Sequence, residues 1–212
     1  DTTVKTLRDV PVDRLGKMTA KDALAHPVWN MGKKITIDSA TLFNKGLEVI
    51  EAMYLFSLPH DKVKVLMHRE SVVHGMAEFE DGSVKALLSV PDMSLAIETA
   101  LFYPDKGVGA VPPLDLASYG TLNFDVPDFN RYPCLHLALK AAAAGEGGKI
   151  ALSAADEVLV DAFLRGKIKF GDIAAVLGKV YDKFRKIGDV ALEDIFGIDA
   201  DARKYTYSVG VK

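Results

Sequence analysis

KKITIDSATLFNKGLEVIE, Lys33 to Glu51, is the stretch whose reading decides the fold. Ile35 and Ile37 sit at strand spacing, and Leu47, Ile50, Met53 and Tyr54 then switch to helical spacing. The pattern predicts a buried strand that opens directly onto the N-terminal turn of a helix. A hydroxyl, an amide, a lysine and a carboxylate (Ser39, Asn44, Lys45 and Glu48) crowd that junction. Free backbone N–H groups and the positive end of a helix dipole suit a phosphate there. A carboxylate one turn further along can hold a divalent cation. A phosphorylated metabolite plus a metal is therefore the first expectation.

Asn44 and Lys45 lie four and three residues before Glu48, so all three can share one helical face. The plainer alternative is a surface Lys45–Glu48 pair, worth roughly 0.2–0.5 kcal/mol on a helix. The hydroxyl at the strand end and Gly46, which allows close approach, weigh against it. Spacing alone leaves both readings open.

Around this segment the composition is that of an ordinary folded protein, long enough for one large or two small domains. A net charge of −3 gives no support to a nucleic-acid or membrane footprint, so neither partner is expected. One cysteine, Cys134, leaves no intramolecular disulfide and fits a reducing, cytoplasmic setting. No apolar run is long enough to span a bilayer. The opening residues DTTVKTLRDVPVDRLGK carry neither a signal core nor transit-peptide bias. They read as an extended polar arm, as though a part upstream were missing.

Along the chain, Thr19 and Asp22 predict a capping box for a short helix ended by Pro27. Val63 to Met67 reads as a second short strand. Ala77 and Phe79 alternate with glutamates before Asp81-Gly82 turns into Val84, Ala86 and Leu88, which predicts a hairpin with one buried face. Ser94 to Tyr103 reads as a helix. Five of the nine prolines then fall between Pro104 and Pro133, a composition break. The expected division is 1–105 for a segment carrying the site, 106–130 for a linker and 131–212 for a helical bundle. In that bundle Pro133 starts a helix, the Gly145–Gly148 cluster ends it, and Ser153 with Asp156 caps the next. Ile173, Val176, Leu177, Val180 and Phe184 form a clean helical stripe, and a last helix starts near Asp199. The fold class is α+β: a small mixed sheet with helices on one side, followed by a C-terminal α-helical bundle.

Other candidates are weaker. His26 to Gly32 places the only tryptophan, Trp29, in a loop closed by glycine. A water-excluding flap and a loop tryptophan docked on its own domain both fit it. His68 and His74 match no compact metal spacing and read as hydrogen-bonded core or sheet-end residues. Gly107-Val108-Gly109 reads as loop glycines, and no dinucleotide fingerprint is present.

Taken together, these residues resemble the 1-deoxy-D-xylulose 5-phosphate reductoisomerase family. The resemblance is carried above all by Asp38-Ser39-Ala40-Thr41-x-x-Asn44-Lys45-Gly46-Leu47-Glu48 and by His26-Pro27-x-Trp29-x-Met31-Gly32-Lys33. Ser71-Val72-Val73-His74, Pro91-Asp92-Met93, Pro113-Leu114-Asp115, Arg131-Tyr132-Pro133-Cys134-Leu135 and Ala154-Ala155-x-Glu157 extend it almost end to end. Arg69-Glu70 departs from the family's usual Pro-Gln.

The resemblance implies a reductoisomerase using NADPH and Mn²⁺ or Mg²⁺ to convert 1-deoxy-D-xylulose 5-phosphate to 2-C-methyl-D-erythritol 4-phosphate. It implies that Ser39, Asn44 and Lys45 hold the substrate phosphate and that Glu48 is a metal ligand. His26 would face the substrate, Trp29 would cover it, and Met31 and Gly32 would approach the nicotinamide. The family's amino-terminal NADPH-binding domain and two further metal carboxylates have no counterpart here, so this chain alone is expected to be inactive. A homodimer, in a bacterial cytoplasm rather than a plastid, is the implied setting. The alternative is a non-catalytic module that binds a sugar phosphate or a protein partner.

Overall fold

The computed structural model describes residues 10–24 and 32–211. Fourteen regular elements are used below. Helices α1 (Val12–Leu15), α2 (Ala20–Leu24), α3 (Lys33–Ala40) and α4 (Phe43–Phe56) come first. Strand β1 (Met67–His68), the hairpin β2 (Val73–Glu78) and β3 (Val84–Leu88), helices α5 (Ser94–Phe102) and α6 (Leu116–Tyr119) and strand β4 (Phe124–Asp125) follow. Helices α7 (Pro133–Ala142), α8 (Glu146–Leu164), α9 (Phe170–Phe184) and α10 (Ile195–Gly210) close the chain. The class is α+β with a C-terminal helical bundle, as the sequence predicts. The sheet component is two separate antiparallel pairs, β1–β4 and β2–β3, in place of one mixed sheet.

The largest correction falls on the segment that opened the argument. Lys33–Ala40 is a helix, not a strand. Strand geometry would put Ile35 and Ile37 on one face, whereas Ile37 is fully buried and Ile35 is exposed. Ile37 and Phe43 enter one continuous core with α7, α8, α9 and α10, so tertiary packing overrides the strand preference of Ile-Thr-Ile. The helical signal was the Lys34–Asp38 spacing, four residues, which the structure uses as an ion pair of 2.5 Å.

Residues Leu66–Asp125 form one compact unit, and the described residues on either side of them form the other. The chain therefore does not divide as 1–105, 106–130 and 131–212. Residues 33–65 group with the helices, because α4 packs on α7 and α3 packs on α8. The proline-rich stretch contributes α6 and β4, and β4 closes the smaller unit by pairing Asp125 with Met67 and Phe124 with His68.

Within the helical unit, α8 lies at the centre. It buries Ala151, Leu152, Ala155, Leu159 and Phe163 against α9 and α10. The α9 stripe Ile173, Val176, Leu177, Val180 and Phe184 is buried throughout, at roughly 1.5–3 kcal/mol for each large side chain removed from water. Thr19 and Asp22 form the expected capping box, with Thr19 N donating to Asp22 Oδ2 at 2.9 Å and Asp22 N to Thr19 Oγ1 at 3.2 Å. The Gly145–Gly148 cluster starts α8 instead of ending α7: Gly145 is its N-cap. A Cβ on Gly147 would stand 2.4 Å from Ile187 Cβ, so the first turn needs glycine for close approach. Ser153 and Asp156 consequently lie in the middle of α8, where no cap is required. The last helix begins at Ile195, a turn earlier than Asp199.

In the smaller unit the Asp81-Gly82 turn is present, with Gly82 at φ +82 and its N donating to Phe79 O. The strands carry Met76, Val84 and Leu87 exposed, so neither face of the hairpin is buried in this chain. Val63 to Leu66 is not a strand, and pairing is confined to Met67 and His68. Both histidines have the predicted structural roles. Buried His68 bonds Asn123 O at 2.9 Å and stacks on Phe124, and His74 Nε2 meets Ser89 Oγ at 2.8 Å. Glu70, one of the departures from the family pattern, accepts from Asn123 N at 3.0 Å and Nδ2 at 2.7 Å. Desolvation would raise its carboxyl, but those two donors outweigh it and hold the pKa at about 2. The Gly107–Gly109 loop wraps a carboxylate of its own chain: buried Glu98 accepts from Gly109 N at 2.9 Å and Ala110 N at 3.0 Å.

Gly46 gives the sharpest packing test. A Cβ there would lie 2.3 Å from Ala138 Cβ on α7, so its close approach is to a helix. Gly46→Ala gains helix propensity of about 1 kcal/mol but must push α4 off α7, at about 1–3 kcal/mol. Urea unfolding should therefore show net destabilisation, with Ala138→Gly in the same molecule restoring most of it. A stabilised Gly46→Ala would mean the helices separate freely.

Candidate functional site

The site segment is a helix–turn–helix joint, with α3 ending at Ala40 and α4 starting at Phe43. Between them Leu42 takes a left-handed conformation, φ 56, which costs a non-glycine residue about 1–2 kcal/mol. Its side chain is 1% exposed, and that burial offsets the strain. Leu42 N donates to Ser39 O at 3.2 Å and Phe43 N to Thr41 Oγ1 at 3.3 Å, so the turn is closed by its own groups. Ser39 sits in the last turn of α3 and is buried.

Asn44, Lys45 and Glu48 lie on the first turns of α4 and are brought together as their spacing predicts. Asn44 Nδ2 donates to Glu48 Oε1 at 2.7 Å, and Lys45 Nζ pairs with Glu48 Oε2. Both charged side chains are partly exposed, 37% for Lys45 and 44% for Glu48. In this arrangement the surface pair Lys45–Glu48 is part of the candidate cluster. Among the described residues no three His, Cys, Asp or Glu side chains lie close enough to hold a metal, and Glu48 belongs to no such group.

His26, Trp29 and Met31 lie outside the described residues. Gly32 is exposed, caps α3 in an extended conformation, and has open space where a Cβ would be. An apolar cavity of about 150 Å³, lined by Leu15, Thr41, Arg131, Cys134, Phe170 and Ala174, includes none of the candidate site residues.

Beneath the joint lies a buried charge cluster that reading by sequence missed. Lys34 Nζ reaches Asp38 Oδ2 at 2.5 Å and Asp156 Oδ2 of α8 at 2.7 Å. Burial, followed by the Asp38 charge, pushes the Asp156 carboxyl up to about 7 despite Lys34. Burial also raises Asp38. For Lys34, desolvation is outweighed by the two carboxylates and its pKa rises. Asp156 is 121 residues after Ile35, so no local pattern could link it to α3.

Residues 88–205, more than half of the chain, match the family model described as the DXP reductoisomerase C-terminal domain. The chain belongs to the 1-deoxy-D-xylulose 5-phosphate reductoisomerase family. Residues 3–56 match a second reductoisomerase model, also described as a C-terminal domain. The 1-deoxy-D-xylulose 5-phosphate reductoisomerase of Bordetella petrii is 45% identical over 207 residues, covering 96% of this chain and 52% of its own. The chain thus spans about half the length of the curated reductoisomerases it matches. Among solved structures, the reductoisomerase of Zymomonas mobilis in complex with NADPH superposes with TM-score 0.88 at 36% identity, over 98% of this chain and 54% of that one. A reductoisomerase in complex with NADPH, fosmidomycin and magnesium gives TM-score 0.87 at 40% identity, over 96% and 52%.

The Lys45–Glu48 pair is half in water, so it carries little of the fold. Glu48→Gln should change stability in urea unfolding by no more than about 0.5 kcal/mol. A loss well above about 1 kcal/mol would instead make Glu48 a brace for α4.

Proposed function

We propose that this chain supplies the phosphate-holding segment and one metal ligand of a 1-deoxy-D-xylulose 5-phosphate reductoisomerase. The observation that carries the reading is the convergence of Asn44, Lys45 and Glu48 on one face of α4, directly after Ser39. Lys45 and Asn44 are donors that a phosphate can take over from Glu48, and the Ser39 hydroxyl adds a third. Glu48, freed of Lys45, is a hard oxygen ligand of the kind Mg²⁺ and Mn²⁺ take. Bound there, the metal would act as a Lewis acid on the substrate's carbonyl and hydroxyl oxygens. NADPH would supply the hydride that reduces the aldehyde left by the skeletal rearrangement.

The remaining assignments follow the same family pattern. His26 faces the substrate and Trp29 covers it, excluding water from the reacting centre. Met31 and Gly32 approach the nicotinamide. An NADPH-binding domain and further metal carboxylates lie outside these 212 residues, and the working assembly is a homodimer in a bacterial cytoplasm.

One carboxylate offsets little of a divalent cation's dehydration. This chain mixed with NADPH, Mn²⁺ and 1-deoxy-D-xylulose 5-phosphate should therefore show no NADPH oxidation. Fused to the amino-terminal half of the Bordetella petrii relative it should turn over, and Lys45→Ala in that fusion should lower kcat/KM by about 10²–10³-fold. Turnover by the isolated chain would overturn the shared-metal assignment. An unaffected Lys45→Ala would overturn the phosphate assignment.

A further inference from the structure

We propose that Asp156 of the helical bundle is a positioning residue for the phosphate-holding segment. With Asp38 it shares one proton and one lysine, Lys34, and so fixes the helix that carries Ser39. The inference rests on the phosphate reading above for its functional consequence, and on the geometry of α3 and α8 for the rest.

The two carboxyls come from helices far apart in sequence and meet on one ammonium, with side chains 5% and 1% exposed. The lysine is 44% exposed, so two carboxylates out of water share one half-solvated cation, which is unfavourable unless a proton joins them. Among the described residues the surrounding groups supply no other charge to cancel theirs. From α7, Cys134 faces the pair, and burial followed by the two carboxyls raises its thiol, which stays neutral. Glu157, next along α8, adds a further negative charge and is taken by Arg203 Nη2 of α10 at 2.6 Å. Arg203 is in turn held by Asp199 Oδ1 at 2.6 Å. Among the described residues Lys34 is the one cation bonded to either carboxyl.

The hydrogen bonding carries the same message. Asp38 Oδ1 and Asp156 Oδ1 are both buried without a donor among the described residues. The two carboxyls are within hydrogen-bond reach of each other. A proton on either one makes it a donor to the other, and Lys34 then neutralises the remaining charge. Lys34 lies in the first turn of α3 and Asp38 in its last, next to Ser39, so the clamp grips both ends of an eight-residue helix. Loss of the proton puts a second negative charge into the contact between α3 and α8 and loosens the Ser39–Asn44 joint.

Asp156 holds its proton in the folded chain at a pH where the unfolded chain has lost it, because its pKa is raised from 3.8 to about 7. Stability from this group is full below about pH 4 and falls as pH rises through about 7.

The test is a pH titration of the 212-residue chain by carboxyl ¹³C and amide NMR, in the wild type and in Asp156→Asn. In the wild type one carboxyl of the pair should titrate near neutral pH, and the amides of Ser39 to Lys45 should move with the same midpoint. Asp156→Asn keeps the shape and a permanent donor, so those amides should lose that midpoint and the urea unfolding midpoint should lose the fall towards neutral pH. Sulfate, a dianion throughout this range, is the ligand probe. Its affinity should weaken by at least about fivefold across the titration in the wild type and stay level in the variant. A pair with no titration between about pH 5 and 8, or Ser39–Lys45 amides that ignore it, overturns the proposal. If carboxyl and amides titrate together while sulfate binds elsewhere, the clamp stands and the phosphate reading falls. Should Asp156→Asn fail to fold, the wild-type titration alone decides.

Discussion

One ammonium group holds the site segment to the helical bundle. Lys34 reaches Asp38 on its own helix and Asp156 on α8, both out of water. Removing the lysine, whose own side chain is 44% exposed, would leave two buried carboxyls with no cation among the described residues, which is destabilising. Hydrophobic contact alone would not select this register. Ile37 and Ala40 anchor α3 by apolar contact, and the ion pair of 2.5 Å adds a directional one.

The consequences run along the chain from there. With α3 pinned, the turn at Thr41 and Leu42 has one way to close, and Leu42 accepts a left-handed backbone because its side chain is buried. The turn delivers α4 onto α7, where Gly46 allows Ala138 a contact that any side chain would block. Buried Val49, one turn on from Lys45, and Phe43 then fix the rotation of α4. Asn44, Lys45 and Glu48 are left on the partly exposed side. Their arrangement is thus a product of the core packing behind them, and a loop carrying the same residues would not hold it.

How much of this was legible depends on the range of the interaction concerned. The α9 stripe, the Thr19–Asp22 box and the Asp81-Gly82 turn are set by residues within one or two turns, and all three were readable. The Asn44–Lys45–Glu48 cluster was readable for the same reason. Ile35-Thr36-Ile37 was misread because three β-branched residues favour a strand locally, and only contact with α8, over a hundred residues away, decides for a helix. Gly145–Gly148 and Ser153/Asp156 were misread because glycine and short polar residues mark helix ends on average. Here Gly147 admits Ile187, and Asp156 meets Lys34, both tertiary demands. The division at 106–130 failed because proline density marks irregular backbone, which need not be a linker. That stretch returns β4 to β1. The flap residues His26, Trp29 and Met31 fall outside the described residues, and their roles rest on the family pattern.

The Lys45–Glu48 pair bears on whether the segment is locked or ready. An ion pair between two partly exposed side chains on one helix contributes about 0.2–0.5 kcal/mol, less than the thermal energy at room temperature. On the phosphate reading, a dianion that draws Lys45 away pays no more than that, and a cation that takes Glu48 pays it no second time. The pair therefore couples phosphate and metal by at most a factor of about two. It keeps two opposite charges close together without locking them there. Lys34 is itself 44% exposed, but the two carboxyls it holds are buried, so opening that contact would leave charge out of water. The contact to the buried carboxyls thus lies behind the candidate site and the weak one in front, where, on the phosphate reading, side chains would exchange partners.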